Sequence, residues 1–415
     1  MRLLVVSNLY PPYVLGGYEL LCAEHVAWLR KRGHQVTVIT SCGLEGSTSG
    51  VTWTGASGEM VHACLDLQVR EFLKLHRHNL FNVWSRERRQ RIRVQRVLDL
   101  VRPEATLLWG MAGISKSVMQ TIDNGGVGLV AVLGEQWPVW DIWNDTWLRA
   151  WRTVHRLPKG AAVARRAGAR FAPTNIDRAL SRLLPLYVSA RLREQVEEVL
   201  PSLRSRGSVV RNGVDAALFG PPRSPDVALH DPVRLLYAGR IERRKGVHVA
   251  LNALAELREL GVAATLMLLG WADAAYAAEL RGRAEHLAVS ASVTWAEAVP
   301  RGEMAAVYRD HDIVVFPTQW DEPFGLVPLE SMAAGCVVVA TGMGGSGEYL
   351  RAGKNALVFP VGDATALARA VKELKESPEL VLRLRAGGIS TVARHSFDAY
   401  ATALEDAAEK VRRVS

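Results

Sequence analysis

Short apolar, β-branched runs alternate along the chain with longer amphipathic stretches, which is the pattern of strands and helices taking turns. In the first half the runs Arg2–Leu9, Gln35–Ser41, Met60–Leu67, Ala105–Trp109, Val127–Gly134 and Arg170–Thr174 read as strands. The helices expected among them are Glu19–Arg32, much of the segment 70–102, a stretch around Ile114–Ile122, and a helical stretch after Thr174 to about Leu200. Gly43–Gly58, rich in Gly, Ser and Thr, reads as a mobile loop. The alternation then restarts. Val233–Gly239, Ala264–Gly270, Val293–Trp295, Asp312–Pro317 and Val337–Ala340 are the second set of strands, with helices at about Val247–Leu260 and at Leu326–Ala334. Leu357–Pro360 and Asp363–Glu376 close this set.

Between the two sets lies Gly220-Pro-Pro-Arg-Ser-Pro, with three prolines in six residues, a linker composition. The fold class expected is therefore α/β: two Rossmann-like, doubly wound parallel-sheet domains facing each other across a cleft. The expected division is 1–215 for the first domain and 216–390 for the second, with 391–415 as a C-terminal helix returning to the first.

Composition narrows the function classes. A chain of 415 residues suffices for two ordinary domains. Met1-Arg2 runs straight into a strand-length stretch, so no signal peptide is expected, and no apolar run is long enough to span a bilayer. Cys22, Cys42, Cys64 and Cys336 are dispersed, which argues against a zinc site or a disulfide framework and suits the cytoplasm. The net charge of +9 favours anionic partners. From Arg70 to Arg102 ten Lys or Arg stand against three acids. That segment reads either as a solvated helix face or as a contact with an acidic acceptor or the inner membrane surface. Nothing supports nucleic acid, because no aromatic interleaving accompanies the charge.

The candidate chemistry centres on Phe316–Gly335, FPTQWDEPFGLVPLESMAAG. It reads as a strand end, a turn at Pro323 and Gly325, and a helix closed by Gly335. Glu322 precedes the helix and Glu330 lies inside it, seven intervening residues later. A helix N-terminus offers unpaired N–H groups to a phosphate, and two carboxylates can grip hydroxyls. The alternative is an acidic loop capping a helix. Upstream, Gly239-Arg240-Ile-Glu-Arg-Arg-Lys245-Gly246 sits between a strand and a helix and offers two cations, Arg240 able to bind bidentately and Lys245 as a point charge. Gly16 and Gly17 permit close backbone approach to an anion, or form just a turn. Trp137, Trp140, Trp143, Trp147 and Trp151 take helical spacing from Trp140 on. They read as a packed stripe or as an acceptor platform, with Asp141 and Asp145 beside them.

The Glu322–Glu330 segment with Pro-Phe-Gly between resembles the signature of retaining glycosyltransferases of family 4, which have the GT-B architecture. The Arg240–Lys245 loop, the glycine-rich Gly342–Glu348 loop, and the N-terminal order of Gly-Gly-x-Glu, helix and strand are similar to the same family's. The resemblance implies transfer of a sugar from a nucleotide-diphosphate sugar to a hydroxyl or amine acceptor, with retention and without a metal or other cofactor. It implies that Arg240 and Lys245 hold the diphosphate and that the amides of Phe324, Gly325 and Leu326 orient sugar and phosphate. Glu322 would act on the transferred sugar, Glu330 would hold the ribose, and Gly16 and Gly17 would approach the phosphate on domain closure. Glu135, Trp137, Trp140 and Asp141 are the acceptor candidates, the acceptor being a lipid, a glycan or a small aglycone. Two positions depart from the family: Gly134-Glu135 stands where His-Asp is common, and Glu297 replaces a glycine near the base. The alternatives are another GT-B enzyme, such as a nucleotide-sugar epimerase or a pseudo-glycosyltransferase, and a donor-binding protein without catalysis.

Overall fold

The computed structural model describes residues 1–42, 50–67, 80–139, 145, 147–148 and 176–412. The chain divides into two compact units. Unit 1 takes residues up to Val188, Leu192–Val210 and the chain from Ala401 on; unit 2 takes Ser189–Arg191 and Arg211–Tyr400.

Unit 1 is built on strands β1 (Arg2–Val6), β2 (Gln35–Thr40), β3 (Val51–Thr54), β4 (Met60–Ala63), β5 (Ala105–Leu108), β6 (Gly128–Leu133), β7 (Leu184–Tyr187) and β8 (Ser208–Val209). They form one sheet in the order β3-β4-β2-β1-β5-β6-β7-β8. All neighbours are parallel except β3 and β4. Strand β1 is central, and its Leu3 to Val6 are fully buried, as a strand covered on both faces requires. The described helices are α1 (Gly17–Lys31), α2 (Leu80–Val101), α3 (Ser117–Asn124), α4 (Ile176–Arg182) and α5 (Ala190–Val199). The last helix, α12 (Phe397–Val411), brings Glu405 to His34 at 2.6 Å and Arg412 to Glu104 at 2.6 Å.

Three expectations for this unit need correction. The end of the expected mobile loop is an edge strand, β3, because Val51-Thr-Trp-Thr54 alternates β-branched and aromatic residues against β4. Leu184–Tyr187 is a strand inside the segment expected to stay helical; Pro185 masked it, since proline is unusual in a central strand. The helix expected around Ile114–Ile122 starts at Ser117 instead. The expected strand Arg170–Thr174 and the basic residues Arg70, Lys74 and Arg77 lie outside the described residues.

Unit 2 carries β9 (Val233–Ala238), β10 (Ala264–Leu269), β11 (Val293–Ala296), β12 (Ile313–Phe316), β13 (Val337–Ala340) and β14 (Leu357–Val358). They form a parallel sheet in the order β11-β10-β9-β12-β13-β14. Its helices are α6 (Val247–Glu259), α7 (Ala274–His286), α8 (Met304–Arg309), α9 (Leu326–Ala333), α10 (Ala364–Glu376) and α11 (Pro378–Arg394). Leu235, Leu251, Leu254, Leu268, Val315 and Leu367 anchor a core between sheet and helices. The expected class, two α/β domains each built on a doubly wound and mostly parallel sheet, is the one found. Among the described residues no helix is long and apolar enough to cross a membrane.

Candidate active site

In unit 2 the strand order reverses direction between β9 and β12: β10 and β11 lie beyond one, β13 and β14 beyond the other. Doubly wound sheets bind ligands at such a switch point, outside the carboxyl ends of the strands. The loop after β9 carries Arg240 to Gly246, and the loop after β12 carries Pro317 to Gly325. The two loops are tied backbone to backbone, Gln319 N–H donating to the Arg244 carbonyl at 2.8 Å. They touch so closely at Gly246 that a Cβ there would stand 2.0 Å from the Pro317 carbonyl oxygen.

This closeness brings Lys245 and Glu322 together. Their side chains form an ion pair, exposed by only 14% and 13%, so solvent screens it less than a surface pair. Trp320 completes the group. Its indole N–H donates to the same Glu322 Oε2 at 3.0 Å, and its ring lies under the Arg244 guanidinium at 4.2 Å and the Lys245 ammonium at 5.3 Å. Arg240 pairs with Glu242 at 2.7 Å, and Glu242 also takes Arg244 at 2.7 Å. Two arginines on one carboxylate help to hold it below the usual carboxylate range, against burial. Burial first, and then the Glu322 charge, raises the Tyr237 phenol well above its ordinary value. Its hydroxyl therefore stays neutral and donates to the Arg240 carbonyl at 2.6 Å.

Phe324 is 2% exposed and packs on Tyr349 at 5.1 Å, so its side chain is core. The backbone is what this segment presents. Gly325 takes φ +82° just before α9, whose first-turn N–H groups have no intrahelical acceptor. Tyr349 donates its hydroxyl to the Gly325 carbonyl and fixes the turn. The glycine-rich loop after β13 lies directly on this turn. Gly345 N–H donates to the Glu322 carbonyl at 2.7 Å, and a Cβ on Gly345 would stand 2.1 Å from the Pro323 oxygen. The loop thus acts as a backbone buttress under Glu322.

Glu330 is buried in the first turns of α9. Arg301 binds its Oε1 at 2.6 Å and Tyr308 donates to its Oε2 at 2.9 Å. Burial, and then the Glu330 charge, raise the Tyr308 phenol well above its ordinary value, so it remains a donor. Each Glu330 oxygen keeps a second lone pair for a hydroxyl.

In unit 1, Gly16 and Gly17 start α1, where Glu19 reaches back to accept from Gly16 N–H at 2.9 Å. That carboxylate already caps the helix start where an anion was expected. Glu135 is half-buried beside β6. Trp137 is 2% exposed, its ring covered by the buried Lys116 ammonium at 5.1 Å, so it offers no open face to an acceptor. Trp147 is buried too. Asp145 bonds the backbone N–H of Lys116 at 2.7 Å and of Leu148 at 2.9 Å, which makes it an internal brace. Trp140 and Asp141 lie outside the described residues. Among the described residues no group of three or more His, Cys, Asp or Glu side chains could hold a metal ion.

Sequence reasoning missed Trp320, Arg301, Tyr308 and Tyr349. Trp320 sits two residues before Glu322 in the motif already singled out, so its proximity was a usable signal. The other three reach the motif from separate loops and helices and carry no local signature.

Residues 223–391 match the family model described as glycosyl transferases group 1. Glycogen synthase of Mycobacterium tuberculosis is 32% identical over 195 residues, covering 47% of this chain and 46% of the relative. A D-inositol 3-phosphate glycosyltransferase of Corynebacterium urealyticum is 28% identical over 289 residues, covering 63% and 65%. The chain spans about half the length of the curated relatives it matches. Among solved structures, sucrose-phosphate synthase from Thermosynechococcus elongatus superposes with TM-score 0.71 at 17% identity, over 99% of this chain and 98% of that one. Anabaena Alr3699/HepE in complex with UDP-glucose does so with TM-score 0.67 at 17% identity, over 98% and 99%. The structural likeness extends over both units and shows a shared fold, whereas the family match is confined to the second. The Arg240–Lys245 loop, the Glu322–Glu330 segment and the glycine-rich loop all fall within that match, and residues 223–391 belong to the glycosyl transferases group 1 family.

Proposed function

We propose that this chain is a retaining glycosyltransferase that moves a sugar from a nucleotide-diphosphate sugar to a hydroxyl or amine acceptor without a metal. The observation that carries the reading is the meeting of Lys245, Glu322 and Trp320 where two loops leave neighbouring strands at the switch point of unit 2. A departing diphosphate gains negative charge as the glycosidic bond breaks, and fixed cations stabilise that charge in the transition state. Arg240 and Lys245 supply them. The donor's phosphate competes with Glu322 for Lys245, which turns Glu322 toward the transferred sugar. There its carboxylate accepts from sugar hydroxyls and faces the positive charge that develops on the ring. The amides of Phe324, Gly325 and Leu326 orient sugar and phosphate at the start of α9. Glu330, held by Arg301 and Tyr308, takes the ribose hydroxyls with its remaining lone pairs.

The acceptor class in this reading is a lipid, a glycan or a small aglycone. Helix α2 supports a membrane-bound acceptor. Its outer face exposes Arg88, Arg89 and Arg96 together with Ile92 and Leu100, a basic and apolar surface suited to anionic lipid. Co-sedimentation with vesicles containing anionic phospholipid tests this, and binding equal to that of neutral vesicles would remove the support.

The test of the whole reading is a titration of UDP, ADP and GDP and their glucose derivatives by thermal shift, followed by turnover of the donor that binds. UDP and ADP come first because solved structures of similar fold are complexes with UDP-glucose, UDP and ADP. Glu322→Ala should keep affinity for the nucleoside diphosphate within a few-fold and lower transfer by about 100-fold or more, the scale of losing one preorganised transition-state contact. Normal transfer by Glu322→Ala would refute the mechanism.

A further inference from the structure

Strand β6 ends at Leu133, and Gly134 follows it at the position where the resembled family commonly has a histidine. The structure shows why no side chain stands there. A Cβ built on Gly134 would lie 2.0 Å from Cε2, 2.6 Å from Cζ and 2.7 Å from Cδ2 of Tyr18. Those are ring atoms, pinned at the far end. The Tyr18 hydroxyl faces the carbonyl oxygens of Trp109 at 2.6 Å and Val132 at 2.5 Å, and accepts from Gly134 N–H at 3.1 Å. The Trp109 indole N–H returns a bond to the Tyr18 carbonyl at 3.1 Å, and the two rings lie 5.7 Å apart. One phenol therefore ties the first turn of α1 to the carboxyl ends of β5 and β6. In unit 1 the strand order reverses between β1 and β5, so this is again a switch point. Tyr18, Gly134 and Glu135 are all half-buried.

We propose that Tyr18 is a positioning residue of the unit 1 switch point: it takes the volume of a side chain at position 134 and fixes the end of β6 from which Glu135 projects. The end of β6 is then lined by backbone and the Tyr18 ring, in the space that a side chain at 134 would take. The catalytic half of this proposal rests on the glycosyltransferase reading. The steric half does not.

The experiment combines a stability cycle with kinetics on the full chain. Gly134→Ala should lower Tm by about 3 °C or more in the presence of Tyr18, the size of an overpacking defect in a domain of this length. In a Tyr18→Ala background the same change should lower it by less than about 1 °C. Tyr18→Phe keeps the ring and loses the hydroxyl. Its release of UDP from UDP-glucose should show kcat reduced about tenfold with KM for UDP-glucose within twofold, a split that mere loosening of the fold would not give. Additive Tm shifts would overturn the steric exchange, and an unchanged kcat in Tyr18→Phe would overturn the positioning role. If the wild-type chain releases no UDP from UDP-glucose, glycosyl transfer from that donor fails, and the Tm cycle alone decides whether Tyr18 excludes a side chain at 134.

Discussion

Replacing Gly344 by alanine separates the two ways in which the glycine-rich loop can matter. Gly344 has φ +65°, and a Cβ there would stand 2.4 Å from both the backbone nitrogen and oxygen of Glu322. Gly353 has nearly the same backbone, φ +70°, but its Cβ would meet nothing within 4 Å. Placing a Cβ in the left-handed region costs about 1–2 kcal/mol, and Gly353→Ala carries that cost alone. Gly344→Ala adds a steric cost, because ordinary carbon contacts lie at about 3.5–4 Å and overpacking typically costs about 1–3 kcal/mol. The neighbour is backbone, so no rotamer change can relieve it. The expected gap between the variants is thus about 1–3 kcal/mol, or roughly 2–12 °C in Tm for a unit of this size. If the chain relieves the clash by moving the Glu322 loop, affinity for UDP-glucose should also fall about tenfold in Gly344→Ala and less than twofold in Gly353→Ala. Differential scanning fluorimetry and calorimetric titration read both. Equal Tm shifts with equal affinities would refute the view that this loop buttresses Glu322.

Three further predictions test other contacts. Trp320→Phe keeps a ring under Arg244 but removes the N–H on Glu322, a hydrogen bond to a charged group worth about 1.5–3 kcal/mol; kcat should fall about tenfold, and an unchanged kcat would show that Lys245 alone suffices to place Glu322. Arg301→Ala removes the ion-pair partner of the buried Glu330 carboxylate while Tyr308 still donates to it, and breaking a buried pair from one side typically costs about 3–5 kcal/mol; urea unfolding should show the loss, and Arg301→Ala/Glu330→Gln should recover part of it. Glu87 is buried, accepts from Ser115 at 2.8 Å and Ser117 at 2.7 Å, and is pushed up to about 7 by burial and then by the Asp145 charge. Its folded value lies above its unfolded 4.5, so its contribution to the stability of unit 1 is complete below about 4.5 and is lost as pH rises through about 7. That is at most about 3 kcal/mol, and Glu87→Gln should flatten the slope of unfolding free energy against pH in that window; an unchanged slope would refute the assignment.

What the sequence made legible was whatever local periodicity or strand-end position encodes. The β9 and β12 runs and the loops that follow them could be read because an apolar run, a turn and a helix start lie within about twenty residues. The pairing of Lys245 with Glu322 could not, since they are 77 residues apart and meet only because β9 and β12 are neighbours in the sheet. Arg301 on Glu330 is the same case. Errors fell where local composition conflicts with tertiary context. Pro185 argued against a strand, yet β7 pairs with both β6 and β8. The spacing of the tryptophans fitted a packed stripe and an exposed platform equally, because periodicity fixes a face but not what covers it. Lys116 over Trp137 decides that position, and it sits in another segment.

Position 134 makes the sharpest case. From sequence, a glycine where a histidine is common reads as a loss. In the fold it reads as an exchange, since the ring of Tyr18 fills that space from the start of α1. The compensating residue stands 116 positions away and next to a Gly-Gly pair that drew attention for another reason. A departure from a family pattern is therefore weak ground for inferring lost activity until the volume it vacates has been inspected. Here the volume is occupied by a hydroxyl-bearing ring at the carboxyl edge of the sheet, so that edge offers a phenol hydrogen-bonding group where a histidine would offer an imidazole. If unit 1 takes part in transfer, the Tyr18 ring contributes by orientation at this end of β6, where no imidazole stands. A limb near pH 6.5 that survives in Tyr18→Phe would have to come from elsewhere in the chain, whereas one introduced by Tyr18→Ala/Gly134→His would show that this position faces the reacting groups.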